Sequence, residues 1–197
     1  MSTPPAQPLV PPRSGATGVR PAGLDDAPAM AAVLGAAWAG LTPRPLDAAA
    51  AASAWRSAVR ASDARHAVLV ATQAGQVVGL AALAPADDPD LDPAGCAELT
   101  TLVVTPGARR AGHGSRLLAA AMAAATGAGP DAGGYAEAVC WVGRGRDSLD
   151  PFLRGAGWAP DGAHRELAED AGPADPESAR LTQLRLATRL GDAAVDG

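Results

Sequence analysis

Lysine, isoleucine and asparagine do not occur in this chain of 197 residues, and all 16 of its basic residues are arginine. Without lysine the chain cannot build the phosphate-binding loop of NTPases, a pyridoxal Schiff base or a lysine nucleophile. Aromatic residues make up only 3% of the chain, although 48% of it is hydrophobic. The core must therefore be built mainly from alanine, leucine and valine, and the length suits a single domain.

The chain also has few cysteines, and its net charge is negative. Cys96 and Cys140 are the two cysteines, too few for a disulfide framework and without a second ligand pair at zinc spacing, which favours a reducing compartment. The formal charge of −5 disfavours a protein that covers nucleic acid. We find no signal-peptide core and no apolar run long enough to cross a bilayer. We therefore expect a cytoplasmic protein without nucleic-acid or membrane partners.

The pattern along the chain predicts one mixed α/β domain at residues 18–189, with a disordered leader at 1–17 and a flexible tail at 190–197. Helices and strands alternate, with three consecutive strands in the middle. We predict helices at 27–39, 46–59, 115–125 and 148–154, and strands at 19–21, 67–71, 76–84, 96–104, 135–142 and 180–187. Residues 85–93, which contain four aspartates, are predicted to form a solvated loop; the alternative is a rim that attracts an amine.

The segment from Glu98 to Leu118 is typical of an anion site. It has the pattern of a strand, a tight turn, a glycine-containing loop and the start of a helix. Gly112 and Gly114 let the backbone approach a ligand, and the first N–H groups of the helix point at it. Arg109 and Arg110 add positive charge, or else form a solvated pair at the loop.

The residue spacing narrows the choice of anion. A dinucleotide fingerprint needs a third glycine where Leu117 stands, so the match to NAD-binding proteins is incomplete. An ATP-binding loop needs lysine where His113 stands, which excludes that loop. What remains is Arg109-x-x-Gly112-x-Gly114 behind a strand.

This motif resembles the hallmark Gln/Arg-x-x-Gly-x-Gly/Ala of the GNAT superfamily of N-acetyltransferases. Glu98 lies eleven residues before the motif's arginine, as a glutamate does on the fourth strand of many members. The run Val77-Val78-Gly79 is similar to the family's third strand. The segment from Phe152 to Trp158 resembles the Phe-Tyr-x-x-x-Gly-Phe segment near the family's end. The resemblance covers residues 18–189 in the family's element order.

The resemblance implies a mixed, mostly antiparallel twisted sheet flanked by helices, the acyl-CoA acyltransferase fold of that family. The sheet should splay between the fourth and fifth strands, with acetyl-CoA in the opening. The implied backbone contacts are Leu102, Val103 and Val104 with pantetheine, and Arg109, Arg110, Ala111, Gly112, His113, Gly114 and Ser115 with the pyrophosphate. Since this loop works through its backbone, we expect the side chain of His113 to point outward.

The resemblance also implies transfer of an acetyl group from acetyl-CoA directly to a primary amine of a small molecule or peptide, without a metal. Glu98 is the candidate base that removes the amine proton; the alternative is a strand-end glutamate that faces solvent or pairs with arginine. Leu153 stands where the family often has a tyrosine acid, and Arg146 replaces a common asparagine. Tyr135 is not assigned the acid role, since water can protonate the thiolate.

Two other functions remain open at this stage. The first is a non-catalytic acyl-CoA-binding or regulatory module of the same fold, which has kept the loop and lost the acid. The second is a nucleotide-binding protein that uses the same loop. Trp38 and Trp55, on the first two helices, are candidates to line an acceptor pocket. The apolar helix faces allow a homodimer but do not require one.

Overall fold

The computed structural model describes residues 17–39, 45–63, 65–127, 134–143, 149–167 and 181–191. These residues form one sheet and several helices. The strands are β1 (Gly18–Pro21), β2 (Ala67–Gln73), β3 (Gln76–Pro85), β4 (Cys96–Val104), β5 (Glu137–Gly143), β6 (Ala159–Leu167) and β7 (Leu181–Arg189), and the helices are α1 (Ala27–Trp38), α2 (Ala48–Ala61), α3 (His113–Ala125) and α4 (Leu149–Gly155).

The sheet has the strand order β1-β2-β3-β4-β5-β7-β6. Every neighbouring pair is antiparallel except β4 and β5, which run parallel. The chain therefore builds the sheet from hairpins and makes one crossover, through α3. This arrangement confirms the mixed, mostly antiparallel sheet flanked by helices that the sequence predicted.

Strand β2 shows how the helices come to lie on both faces of the sheet. Val68 and Val70 pack with Met30 of α1, whereas the alternate residue Leu69 belongs to the core that contains Leu117 of α3. Both faces are apolar because successive side chains of a strand point to opposite sides. Helices α1 and α2 cover one face, and α3 and α4 cover the other.

The sheet is splayed between β4 and β5. The two strands pair only through residues 96–98 and 137–139, and beyond that point β4 has no pairing with β5. A register shift between Ala82 and Leu83 leaves Thr100 as an extra residue in β4. Such a bulge bends the strand and increases its local twist. The free edge of β4 therefore begins close to the point where the strand bends.

The predicted elements are found, with shifted ends, and one strand was missed. Ala74 and Gly75 form the hairpin turn between β2 and β3, and both have positive φ, as a type I′ two-residue turn requires. Strand β6 was not predicted. Pro160 and Gly162 interrupt its pattern, and its pairing with β7 is irregular between Pro160 and His164. These breaks hide the alternation by which a strand is recognised in a sequence.

The predicted leader and tail fall almost wholly outside the described residues, since 1–16 and 192–197 are not among them. Strand β1 begins at Gly18 and β7 ends at Arg189, and the domain boundaries at 18 and 189 stay a prediction. Within the described part of the chain, no helix has the length and hydropathy that crossing a membrane would need.

Candidate active site

The loop between β4 and α3 presents a row of unpaired backbone N–H groups. A turn of 3-10 helix at Pro106–Ala108 follows β4, and α3 then begins at His113. Arg110 and Gly112 have φ values of 62° and 78°, so the chain is left-handed twice just before the helix. Among the described groups, the N–H groups of residues 110–115 find no acceptor. Such a row at a helix start is a site for an anion.

Arg116 holds this loop in shape. Its Nε donates to the carbonyl of Gly112 at 3.2 Å, and its terminal Nη2 donates to the carbonyl of Ala111 at 2.6 Å. The side chain therefore satisfies the carbonyl groups and leaves the N–H groups free to bind. The sequence analysis missed this residue, although its position four residues after Gly112 places it one helical turn away.

The side chain of His113 was predicted to point outward, and this prediction is wrong. The ring is only 2% exposed, and its Nε2 lies 3.0 Å from Oε1 of Gln73 at the end of β2. Because the amide oxygen can only accept, Nε2 carries the hydrogen. Burial, and secondarily the charge of Arg116, lower the pKa of the ring, which is therefore neutral. The backbone N–H of His113 still belongs to the row at the start of α3, whereas its ring is buried against Gln73.

The free edge of β4 continues from this loop. The N–H of Thr105 donates to Val78 of β3 at 2.8 Å, and Val103 pairs with Leu80. Since backbone groups alternate between the two edges of a strand, Val103 faces β3, whereas Leu102 and Val104 face the gap. Of the three residues implied as backbone contacts of pantetheine, Leu102 and Val104 therefore face the gap and Val103 does not. At Val104 the carbonyl already accepts from Nε of Arg109 at 3.2 Å.

Gly79 lets β3, β4 and α3 come together at the base of the loop. A Cβ atom at this position would lie 2.9 Å from the carbonyl oxygen of Val103 and 3.1 Å from a side-chain carbon of Leu117. Real side chains essentially never approach backbone that closely. The glycine of the Val77-Val78-Gly79 run therefore serves to seat the helix on the sheet.

Glu98 lies at the vertex of the splay, on the face of the sheet opposite α3. Its neighbours Ala97 and Leu99 pack in the core beneath α3, so Glu98 itself points the other way. Burial raises the pKa of its carboxyl, and nearby Asp87 and Asp88 raise it further, whereas Arg165 opposes them. Within the described ranges Glu98 makes no hydrogen bond and no ion pair. A desolvated, unpaired carboxyl of this kind is suited to accept a proton.

No hydroxyl replaces the family's tyrosine acid in the described part of α4. Leu153 is fully buried in the core. The hydroxyl of Tyr135 donates to the carbonyl of Arg65 at 2.9 Å, and Tyr135 precedes β5 at the closed end of the splay. Tyr135 is therefore engaged elsewhere. Arg146 lies outside the described residues.

The two tryptophans proposed for the acceptor pocket differ. The side chain of Trp38, at the end of α1, is 44% exposed. Trp55 packs against the core between the sheet and helices α1 and α2. Only Trp38 therefore presents much of its ring to solvent.

The aspartate-rich loop between β3 and β4 was predicted to be solvated, which holds for Asp87, Asp90 and Asp92 but is wrong for Asp88, whose side chain is only 13% exposed. Arg185 of β7 is 5% exposed and makes a two-nitrogen contact with Asp90 at 2.9 and 2.6 Å. It also lies 2.6 Å from Asp161 and 3.4 Å from Asp88. These bonds raise the pKa of Arg185 and lower that of Asp90. Arg185 thus links the loop to strand β7, although Asp90 and Arg185 are 95 residues apart along the chain.

A cavity of about 780 Å³ lies between α3, α4 and the end of β7. It begins at Ser115, beside the unpaired N–H groups, and its walls are mostly apolar, with Leu118, Met122, Phe152 and Trp158 among them. The loop and the cavity are therefore continuous. The described residues contain no group of three or more His, Cys, Asp or Glu side chains that could hold a metal ion.

Comparison with known proteins agrees with this geometry. Residues 33–139 match the model of the Acetyltransferase (GNAT) family. No curated protein matches the chain significantly. Solved structures share its fold at low identity, which shows the fold alone.

Three of these structures illustrate the likeness. An N-acetyltransferase from Staphylococcus aureus Mu50 has a TM-score of 0.68 at 17% identity, over 89% of this chain and 99% of that one. A ribosomal-protein-alanine N-acetyltransferase from Brucella melitensis has a TM-score of 0.66 at 22% identity, over 87% and 99%. The putative acetyltransferase yncA from Salmonella typhimurium, with its cofactor acetyl-CoA, has a TM-score of 0.66 at 18% identity, over 92% and 98%.

The family match covers more than half of the chain and includes Glu98, the free edge of β4 and the whole loop up to α3. The mixed sheet flanked by helices matches the fold of the solved structures named above. With its sequence and its architecture in agreement, this chain belongs to the GNAT acetyltransferase family.

Proposed function

We propose that this protein is an N-acetyltransferase that moves the acetyl group of acetyl-CoA directly to a primary amine of a small molecule or peptide. One observation carries the proposal. Among the described residues, the N–H groups of residues 110–115 have no acceptor, the adjoining edge of β4 has no partner strand, and that edge leads to the half-buried carboxyl of Glu98, which has no partner either. An anion site, a strand-like binding edge and a base thus follow one another along a single opening.

The residues present fit acetyl-CoA. The N–H groups of residues 110–115 would hold the diphosphate, with the positive end of the α3 dipole behind them. Leu102 and Val104 would offer backbone groups to the amides of pantetheine, as an added strand does. The exposed Arg109 and Arg110 would contribute positive charge around the loop.

Glu98 would remove the proton from the acceptor amine. An amine is mostly protonated at neutral pH and must lose a proton before it can attack a carbonyl. Acetyl-CoA, when bound, supplies the activated acetyl thioester. The raised pKa of Glu98 makes it a stronger base than an exposed glutamate. Because Leu153 cannot donate a proton, water would protonate the departing thiolate.

Similar proteins support the proposal. The S. aureus and B. melitensis proteins are named as N-acetyltransferases, and the Salmonella protein was solved with acetyl-CoA. The alternative is a non-catalytic acyl-CoA-binding or regulatory module. One observation favours it: Leu153 is buried where the family often has a tyrosine, and Tyr135 is bonded elsewhere.

Calorimetry with acetyl-CoA, together with CoA release across a panel of primary amines, tests the proposal. We expect the wild type to bind acetyl-CoA and to release CoA with at least one amine. Glu98→Gln should keep the affinity for acetyl-CoA and lower kcat by roughly 10²- to 10⁴-fold, the usual range for loss of a general base. Glu137→Gln, a matched change on β5, should keep both.

Two results would count against the proposal. Absence of any affinity for acetyl-CoA or CoA in the folded protein would exclude the coenzyme site. Tight binding of acetyl-CoA without turnover of any amine would favour the non-catalytic module.

A further inference from the structure

Arg165 of β6 is a cation that is only partly used by the protein. Its guanidinium carbon lies 4.3 Å from the centre of the Trp141 ring, within the range of a cation–π contact. Its Nε donates to Oε1 of Gln183 at 2.7 Å, which fixes the orientation of the planar group. Its two terminal nitrogens have no acceptor among the described residues, and the side chain is exposed.

A second arginine beside the same indole shows the contrast. The guanidinium of Arg185 lies 5.6 Å from the centre of the Trp141 ring, but three aspartates neutralise it. One of them, Asp88, also accepts from the indole Nε1 of Trp141 at 3.1 Å and so holds the ring in place. The indole is therefore fixed and Arg185 is satisfied, whereas the two terminal nitrogens of Arg165 meet no acceptor in the part of the chain that the structure describes.

These groups lie on the same face of the sheet as the candidate base. Glu98 pairs in register with Val139, and Trp141 is two residues further along β5, so both side chains belong to one face. Trp141 is in turn opposite Arg185 on β7, and Arg165 is opposite Gln183. The charge of Arg165 acts on the carboxyl of Glu98, yet the two groups form no ion pair. The base and the cation therefore lie near each other on one face of the sheet without a direct contact.

We infer that Arg165, seated on Trp141, is the anion-binding part of the acceptor site and that the acceptor is an amine that also carries a carboxylate, as an amino acid does. In such an acceptor the amine would face Glu98 while the carboxylate accepts from the two free nitrogens of Arg165. A planar guanidinium offers a carboxylate two parallel hydrogen bonds, which fixes the acceptor's orientation. This inference rests on the proposed transfer to an amine.

A purely cationic acceptor is the competing possibility. Asp87 and Glu98 would attract it, but Arg165 would repel it, and Asp88 and Asp90 are already engaged by Arg185. The structure therefore favours an acceptor that carries both charges. Comparison of amines with and without a carboxylate separates the two cases.

The first test compares amino acids with their amides in the CoA-release assay. We expect the wild type to prefer the acids in kcat/KM by roughly 10- to 100-fold, the usual effect of a charge-assisted hydrogen-bond pair. Arg165→Gln should remove the preference, mainly through KM for the acid. Arg165→Lys should restore only part of it, because an ammonium cannot form the two-nitrogen contact. Arg154→Gln on α4 is the matched control and should keep the preference.

The second test needs no turnover. The CoA-loaded protein is titrated with a panel of N-acetyl amino acids and with the matched N-acetyl amides, and the Nε–H signal of Arg165 is followed by ¹⁵N NMR. We expect at least one acid to shift the signal and its amide to have little effect.

The inference is overturned if amides react or bind as well as acids, if Arg165→Gln keeps the preference, or if no acid moves the Arg165 signal. Failure of the proposed function has a different signature. It would show as loss of acetyl-CoA binding in calorimetry, or as absence of CoA release with every amine, whatever residue stands at 165.

Discussion

Glu98 carries a cost in stability that its proposed role as a base would explain. Its carboxyl is half-buried at the point where β4 leaves β5, and no described group donates to it. Burial without a partner disfavours the ionised form, which is the form that a base needs. Arg165 offsets part of this effect through its charge.

We predict that Glu98→Gln is more stable than the wild type at pH 7. Because the pKa of Glu98 is raised in the folded protein, the folded state holds this proton more tightly than the unfolded chain does, so stability falls as the pH rises through that range. The gain should disappear below the ordinary pKa of about 4.3, where both states are protonated. Urea denaturation at pH 7 and pH 4 measures the difference. The prediction would be contradicted if Glu98→Gln and the wild type had the same unfolding free energy at pH 7 as well as at pH 4.

Gly112 gives a second prediction at the residue scale. Its φ of 78° is strained for any residue with a Cβ, so Gly112→Ala should cost about 1–2 kcal/mol of unfolding free energy. The loop would also lose its shape, and we expect acetyl-CoA to bind at least about tenfold more weakly, since one lost charge-assisted hydrogen bond has that effect. Chemical denaturation and calorimetry measure the two effects.

Gly107→Ala is the matched control for Gly112→Ala. Gly107 lies in the same loop, but a Cβ there meets nothing within 4 Å and its φ is not in the left-handed range. We expect it to change neither stability nor affinity appreciably. Equal losses in both variants would mean that the backbone conformation of Gly112 is not what shapes the loop.

At single residues, the sequence could reveal chemistry but not surroundings. Gly112 was singled out because its type and spacing suit an anion loop, and Glu98 because it stands where the family that the motif resembles often has a glutamate. The buried ring of His113 was not, because its partner Gln73 is 40 residues away and belongs to another element. Arg165 and Arg185 were missed for the same reason, since nothing near them in the chain shows that both lie beside Trp141.

Among the elements, the β3–β4 loop depends most on a distant contact. Arg185→Gln should leave Asp88 and Asp161 without their cation and lower the unfolding free energy by about 1–3 kcal/mol. The amide hydrogens of residues 86–95 should then exchange faster than they do in the wild type, whereas the exchange of those in α3 should not change. Hydrogen exchange read by mass spectrometry checks this local effect.

Arg154→Gln serves again as the comparison for Arg185→Gln. Arg154 pairs with Asp150 four residues away on the surface of α4, and such exposed pairs contribute less than about 1 kcal/mol. We expect no change of exchange in the β3–β4 loop. Faster exchange of that loop in both variants would argue against a specific tie through Arg185.

Elements with strong local signals were predicted, and those shaped by tertiary contacts were not. The alanine- and leucine-rich helices and the β2–β3 hairpin follow from propensity and turn chemistry. Strand β6 holds its place through β7 despite Pro160 and Gly162. The bulge at Thr100 is equally invisible in the sequence, because it depends on how β4 pairs with β3.

For the whole molecule, we predict that acetyl-CoA stabilises the fold. A ligand present at 100 times its Kd adds about 2.7 kcal/mol to the unfolding free energy. In a chain of this size that corresponds to a rise in Tm of about 5–10 °C. Thermal denaturation with acetyl-CoA, CoA and NAD measures the effect, which should occur with the first two only. A rise with NAD alone would favour the nucleotide-binding alternative.

The short contact between β4 and β5 has a consequence for how the protein behaves in a cell. Three residue pairs are the whole strand pairing between β1–β4 and β5–β7–β6 in the described chain. A coenzyme bound along the free edge of β4 would contact both parts of the sheet and stabilise their association. Because a ligand that binds only the folded state raises its population, more of the protein would stay folded where the coenzyme is plentiful, and its abundance would follow the supply of coenzyme A in its free and acylated forms.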